Sequence, residues 1–292
     1  MTSIVIPAHN EGRVIGRLLD ALLADADNNT GTPADGPDIV VVCNGCTDDT
    51  ARVAGARGSR VRVVEIPTPS KHTALRVGDE HARGFPRLYV DADVVVGAAD
   101  VRALTGALAA SPALLAAAPG RDIPLAGCAW PVRAYYRVWQ RLPAVREGLF
   151  GRGVIAVTEP GHARIAALPP LMADDLAASL AFGPGERRVV EAARVVVHPP
   201  RTWSDLVRRR IRAATSSAEF ERYQASQRAG AAAPSARTGS SDLRALLRAQ
   251  PRLLPGVVVF VLAALAARRG SRKAIRNQDF STWLRDESSR QG

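Results

Sequence analysis

Two carboxylates, Asp91 and Asp93, stand inside a run of apolar, mostly β-branched residues over 87–96. The run reads as a buried strand that leaves its sheet at Val90 and carries both acids at its C-terminal end. In open α/β sheets, ligands bind at that edge. Two residues apart, the acids point the same way if the chain stays extended. Hard oxygen donors of this kind suit Mg2+ or Mn2+ carrying a ligand phosphate. The bland alternative is a solvated strand-to-loop corner. A second acidic pair, Asp174-Asp175, opens an apolar helical pattern, where carboxylates favour the helix N-terminus and often do no more than cap it. His198 ends a strand, either as a further metal ligand or as a satisfied histidine.

The elements that must position these groups alternate regularly. Strands are expected at 3–7, 38–43, 61–66 and 87–90, with helices over 11–23 (Asn10 as N-cap), from 48–50 onward, over 71–82 and over 100–110. Residues 25–37, rich in Asp, Asn, Gly and Pro, read as a loop. Four alternations predict an α/β fold with a right-handed, mainly parallel open sheet flanked by helices. Beyond it, 114–118, 151–157 and 189–197 read as strands, the last with an interruption. Residues 131–142 read as a helix whose Trp130, Tyr135, Tyr136 and Trp139 either fill a core or line a sugar or lipid site. The expected divisions are 1–110, 111–224, a linker over 225–241 and a basic, apolar tail over 242–292.

In order, the turns resemble those of the family 2 glycosyltransferases, inverting enzymes of the GT-A fold that use nucleotide sugars. The resemblance runs through Ile4-Val-Ile-Pro-Ala-His-Asn-Glu11, Val41-Val-Cys-Asn-Gly-Cys-Thr-Asp-Asp-Thr50, Ser70-Lys-His-Thr-Ala-Leu-Arg-Val-Gly78, Asp91-Ala-Asp93 and Asp174-Asp175. It implies a nucleotide-sugar pocket made by Pro7, His9, Glu11, Asn44, Lys71 and Asp91. It also implies a divalent ion, Mg2+ or Mn2+, on Asp91 and Asp93, with Asp93 the closer ligand; His198, from its place at a strand end, could complete the coordination. Asp175 matches the general base and Asp174 its supporting acid. At Cys43-Asn44 the sequence departs from the family, which has acids there. Asn44 keeps a donor and an acceptor for a base edge, but the choice of base is left open.

Transfer to an acceptor hydroxyl needs such a base, because the hydroxyl is a poor nucleophile at neutral pH. In-line attack then inverts the anomeric carbon. Two competing enzyme readings fare worse on the sequence. Nucleotidyltransferases carry a Gly-rich basic loop after the first strand, where this chain has Ala8-His-Asn-Glu11. Cys43-x-x-Cys46 has thioredoxin-like spacing, which requires a depressed thiol pKa. No second Cys/His pair is spaced to complete a zinc site. A non-catalytic, membrane-associated sugar-nucleotide-binding protein is the remaining alternative.

Charge sharpens the choice of partners. The 292 residues carry a net +11; positions 1–200 hold 21 basic and 21 acidic residues, positions 201–292 hold 18 and 7. A neutral body with a basic tail implies a polyanionic surface. Residues 253–267 are uncharged and mostly apolar between Arg252 and Arg268-Arg269, short of the ~20 residues that span a bilayer. Pro255-Gly256 argues against one continuous helix there. Charges flanking an apolar run fit a membrane surface and disfavour nucleic acid. Arg208, Arg209, Arg210 and Arg212 either reach a diphosphate or face lipid head groups. Three cysteines make no disulfide framework, and the first residues read as a strand, not a signal peptide. The expectation is a cytoplasmic protein, peripheral on the inner face of the cell membrane, acting on a lipid-linked or glycan acceptor.

Overall fold

The β-branched runs Ser3–Ala8 and Asp38–Asn44 form strands buried along their whole length. The computed structural model describes residues 1–24, 36–170, 174–227 and 238–276. Most of the expected 25–37 loop and of the 225–241 linker, and the last residues, 277–292, of the expected 242–292 tail, lie outside them. Ser3–Ala8 (β1), Asp38–Asn44 (β2), Val61–Ile66 (β3), Arg87–Val90 (β4), Ala116–Asp122 (β5), Val154–Val157 (β6) and Arg187–Val196 (β7) make one seven-stranded sheet. Its order is β3-β2-β1-β4-β6-β5-β7. All neighbours are parallel except β6, which runs antiparallel to β4 and β5. The interruption expected in the last strand is a bulge: Pro119 pairs with Val190, and Gly120 with Arg194.

Helices Ile15–Leu23 (α1), Thr50–Gly55 (α2), Lys71–His81 (α3) and Ala98–Ala109 (α4) follow the first four strands. Alternation along β1 and β2 sends Ile4, Ile6, Ile39 and Val41 into a core with Leu18, Leu19 and Leu22 of α1 and Leu104 of α4. Val40 and Val42 pack on Ala74 of α3. Each such Leu or Ile, withdrawn from water, contributes about 1.5–3 kcal/mol.

One helix start is corrected. α1 begins at Ile15, and Asn10 does not cap it: Asn10 is left-handed (φ 52°) and its Oδ1 accepts from Thr47 N–H at 2.7 Å.

The chain forms two compact units, and the division departs from the one expected near residue 110. The first comprises 1–123, 149–170 and 181–197. It takes in β5, β6, β7 and helix Glu159–Ala166 (α7), because those strands complete the sheet begun by β1 to β4. The second comprises 124–148, 171–180 and 198–292. Within the described residues it is helical: Trp130–Trp139 (α5), Pro143–Glu147 (α6), Asp174–Leu180 (α8), Trp203–Gln227 (α9), Ser240–Ala249 (α10) and Leu254–Arg276 (α11).

Thr202 opens α9 by accepting from Asp205 N–H at 3.2 Å. Tyr135 stacks on Phe260 of α11, with ring centroids 5.2 Å apart, and meets Tyr136 edge-on; both tyrosines are buried and form core, whereas Trp130 is exposed. The expected break at Pro255-Gly256 does not occur. Pro255 sits in the first turn of α11, where its missing N–H interrupts nothing. Gly256 lets the helix lie against α5, since a Cβ there would fall 3.1 Å from the Ala134 carbonyl oxygen.

Candidate functional site

The C-terminal ends of β1, β2 and β4 lie side by side, with Ala8 opposite Cys43 and Ser3, Ile4 and Val5 of β1 opposite Arg87, Leu88 and Tyr89 of β4. The turns leaving them are tied together by polar groups. Asn44, 3% exposed, donates Nδ2–H to the Ala8 carbonyl at 2.8 Å. His9 Nδ1 lies 2.5 Å from the Asn44 carbonyl, which accepts and so fixes the proton on Nδ1. Glu11, also buried, donates its N–H to Thr50 Oγ1 at 2.8 Å. Asp48 accepts from Thr50 N–H (3.1 Å), Thr50 Oγ1 (2.5 Å) and Gly12 N–H (3.1 Å). Burial works against its charge, yet these hydrogen bonds hold its carboxyl below the usual range. The first two turns are thus one hydrogen-bonded platform, with Pro7 buried in β1 beneath it.

The same network decides the cysteine question. Cys43 is 1% exposed, and burial, with Cys46 beside it, pushes its thiol up to about 12. A redox dithiol needs the opposite shift. Cys46 instead lies under the first turn, its Sγ 3.4 Å from Asn10 N.

β4 stops at Val90, as the sequence implies, but the acids do not continue in extended geometry. Asp91 C=O accepts from Val94 N–H at 3.4 Å, so Asp91 and Asp93 stand on a turn and the alternation argument does not apply to them. Two neighbours fix Asp91. Lys71, the first residue of α3, places Nζ 2.8 Å from Asp91 Oδ1. Gly153 accepts the Asp91 N–H at 2.7 Å from a left-handed conformation (φ 67°). A Cβ on Gly153 would fall 2.5 Å from Val94 Cγ1 and 3.3 Å from Asp91 Oδ2. In the sequence the Gly151-Arg-Gly153 turn reads only as a strand entry; its paired glycines are the signal that backbone comes close to something there. Arg152 between them is 2% exposed and donates to the Pro119 carbonyl at 2.8 Å, while burial draws its guanidinium down to about 10.

Pro7, His9, Glu11, Asn44, Lys71, Asp91 and Asp93 all belong to the first unit; Asp174, Asp175 and His198 belong to the second. Asp174 and Asp175 open α8, and Asp175 Oδ1 accepts from Leu176 N–H at 2.7 Å. His198 lines a small pocket with Pro124, Ala126, Cys128, Pro199 and Arg201, and its carbonyl accepts from Arg209. Arg208 pairs with Asp205, and Arg210 lies over the Tyr135 ring. Among the described residues no three or more His, Cys, Asp and Glu side chains form a ready metal cage. The Asp91–Asp93 turn still fits Mg2+ or Mn2+, which take one or two carboxylates and complete their shell with phosphate oxygens and water.

The sequence profile described as "Glycosyl transferase family 2" matches residues 3–159. The chain belongs to glycosyl transferase family 2. The match covers every site residue of the first unit and ends before Asp174. The fold of this family 2 chain is the Rossmann-like GT-A type, and solved structures share it. A mannosyltransferase from Pyrobaculum calidifontis, solved with GDP-Man and Mn2+, superposes with a TM-score of 0.59 at 19% identity, over 99% of this chain and 84% of that one. Glucosyl-3-phosphoglycerate synthase from Mycobacterium tuberculosis, solved with UDP, gives 0.53 at 21% identity over 76% and 80%. The same enzyme solved with Mn2+, UDP-Glc and phosphoglyceric acid gives 0.53 at 20% over the same shares. A comparison with curated proteins gave no match.

Proposed function

We propose that this glycosyltransferase moves a hexose from a nucleoside-diphosphate sugar to an acceptor hydroxyl with inversion, at the cytoplasmic face of a membrane. The observation that carries the reading is the Lys71–Asp91 pair, set where three parallel strands end beside the tied first and second turns. That is the edge at which open α/β sheets bind ligands. The structural neighbours with GDP-Man and with UDP-Glc, each with Mn2+, support a metal-assisted nucleotide-sugar donor.

In this reading Asp91 and Asp93 would hold Mg2+ or Mn2+, which when bound would supply positive charge for the departing diphosphate. Lys71 adds a positive charge to the same edge and orients Asp91 through their 2.8 Å contact. Pro7, His9, Glu11 and Asn44 shape the seat of base and ribose, Asn44 through its hold on Ala8. Asp175 takes the acceptor proton as the new bond to C1 forms, with Asp174 supporting it, and attack opposite the leaving group inverts the centre. His198 is a third candidate ligand. The acceptor we assign is a lipid-linked or envelope glycan, reached by a protein resting peripherally on the inner face of the cell membrane.

The test is a thermal-shift series against nucleoside diphosphates and their sugars, with and without Mn2+. Metal-dependent stabilisation by one nucleotide, abolished in Asp93→Ala, is the expected result, because a ligand of the native state raises its melting temperature. Absence of stabilisation by every nucleotide would overturn the reading.

A further inference from the structure

α11 is apolar on two opposite sides. Its inner side, with Val257, Phe260, Ala263 and Ala267, is buried in the helical second unit. Contact is close at its far end too, since a Cβ on Gly270 would fall 2.5 Å from Ile211 Cδ1 of α9. The outer side carries Leu254, Val258, Val261, Leu262 and Leu265, each between 38% and 55% exposed. At about 100° per residue these five fall within one arc of about 100°.

That arc does not become neutral as the helix goes on. Arg268, Arg269, Arg272 and Arg276 continue along the same side, all exposed. With a rise of ~1.5 Å per residue, the outer face is apolar for ~17 Å and then strongly basic for ~12 Å. α10 just before it repeats the pairing on a smaller scale. Leu243, Leu246 and Leu247 share one side, no residue of α10 is fully buried, and Arg244 and Arg248 are exposed beside them.

We propose that the outer face of α11 seats the protein on an anionic lipid surface, lying in the plane of the interface. Helix Pro251–Arg276 is long and apolar enough to cross a membrane. Crossing would strip its inner face from α5 and α9 and draw the arginines of its second half through hydrocarbon. Lying flat keeps the packing, sinks the five exposed side chains among acyl chains and places the arginines at lipid phosphates. The charge selects the occupant: α11 carries exposed arginines and no acidic residue, so this face complements anionic lipid and offers a second copy of itself no opposite charge. The inference deepens the membrane-facing reading above, yet rests on the two faces of α11 and not on any catalytic residue.

Flotation of the full chain with phosphatidylcholine vesicles, with and without phosphatidylglycerol, tests it. The protein should float with the anionic vesicles and lose about tenfold or more of that binding at high salt. Val258→Asp with Leu262→Asp should abolish flotation while leaving the melting temperature unchanged, because both side chains are exposed. Arg268→Ser with Arg269→Ser and Arg272→Ser should remove the preference for anionic lipid. Equal flotation of the Asp variant overturns the proposal. So does resistance of the bound protein to alkaline carbonate, which would mean a spanning helix. A wild-type dimer that fails to float and becomes monomeric in the Asp variant overturns it in favour of self-association. Nucleotide thermal shifts in the same preparations report on the donor site separately.

Discussion

Lys71 Nζ and Asp91 Oδ1 lie 2.8 Å apart, joining the first residue of α3 to the first residue beyond β4. With the side chains 32% and 40% exposed, solvent screens the pair, and its worth to folding is about 0–1 kcal/mol. Its value is positional. Lys71→Met should therefore leave the melting temperature of the unliganded protein within about 3 °C of wild type. It should weaken nucleoside-diphosphate binding about tenfold, as measured by titration calorimetry with Mn2+. A large loss of unliganded stability with unchanged nucleotide affinity would assign the pair to the fold instead.

Asp175→Asn removes the proposed base and preserves the side-chain shape. Turnover should drop about 10²–10⁴-fold while donor binding is unchanged. Donor affinity by calorimetry and kcat by product release make the comparison. Equal turnover would leave Asp175 as a first-turn carboxylate of α8 that accepts from Leu176 N–H.

Gly153→Ala places a Cβ 2.5 Å from Val94 Cγ1 at a backbone angle that alanine adopts only with strain. A loss of about 1–3 kcal/mol in urea unfolding is expected. Because Gly153 holds the Asp91 N–H, metal-dependent nucleotide binding should weaken along with it.

Asp48 gives the protein an acid-sensitive contact. Its folded pKa lies below the ordinary carboxylate value of about 3.9. Its stabilisation is therefore complete above that value and is lost as pH falls through the lower folded value. Asp48→Asn should cost about 0.5–1.5 kcal/mol at pH 7. The gap from wild type should narrow below about pH 4, read from urea midpoints across pH.

The thiol of Cys43, pushed up to about 12, should not be modified by a thiol reagent in the native protein at neutral pH. Mass spectrometry after labelling should find Cys46 modified first, with Cys43 reacting only after denaturation. Rapid labelling of Cys43, or a Cys43–Cys46 disulfide under mild oxidation, would revive the redox alternative.

The strands of the site were legible because β1, β2 and β4 are buried on both faces, which writes itself as unbroken apolar runs. The position of Asp91 and Asp93 at a strand end followed directly. Their turn did not, because period-two reasoning assumes extended backbone and the Val94 N–H to Asp91 C=O bond breaks it. Asn10 was misread as a cap because its true partner, Thr47 N–H, is distant in sequence and invisible to local patterns. The direction of β6 leaves no mark on side-chain periodicity. α11 was underestimated because Pro255-Gly256 resembles a break until the first-turn position of Pro255 and the packing of Gly256 on α5 are seen.

The chain passes between its two units at 123/124, 148/149, 170/171, 180/181 and 197/198. Neither unit is therefore a contiguous stretch of polypeptide, and no single splice can exchange one for its counterpart in a relative. A chimera would have to graft 124–148, 171–180 and the C-terminal segment together onto a recipient sheet. Natural variation meets the same topological constraint: the helical unit can diversify through insertions at fixed exits from the sheet, while the strand that leads into the Asp91–Asp93 turn stays in register.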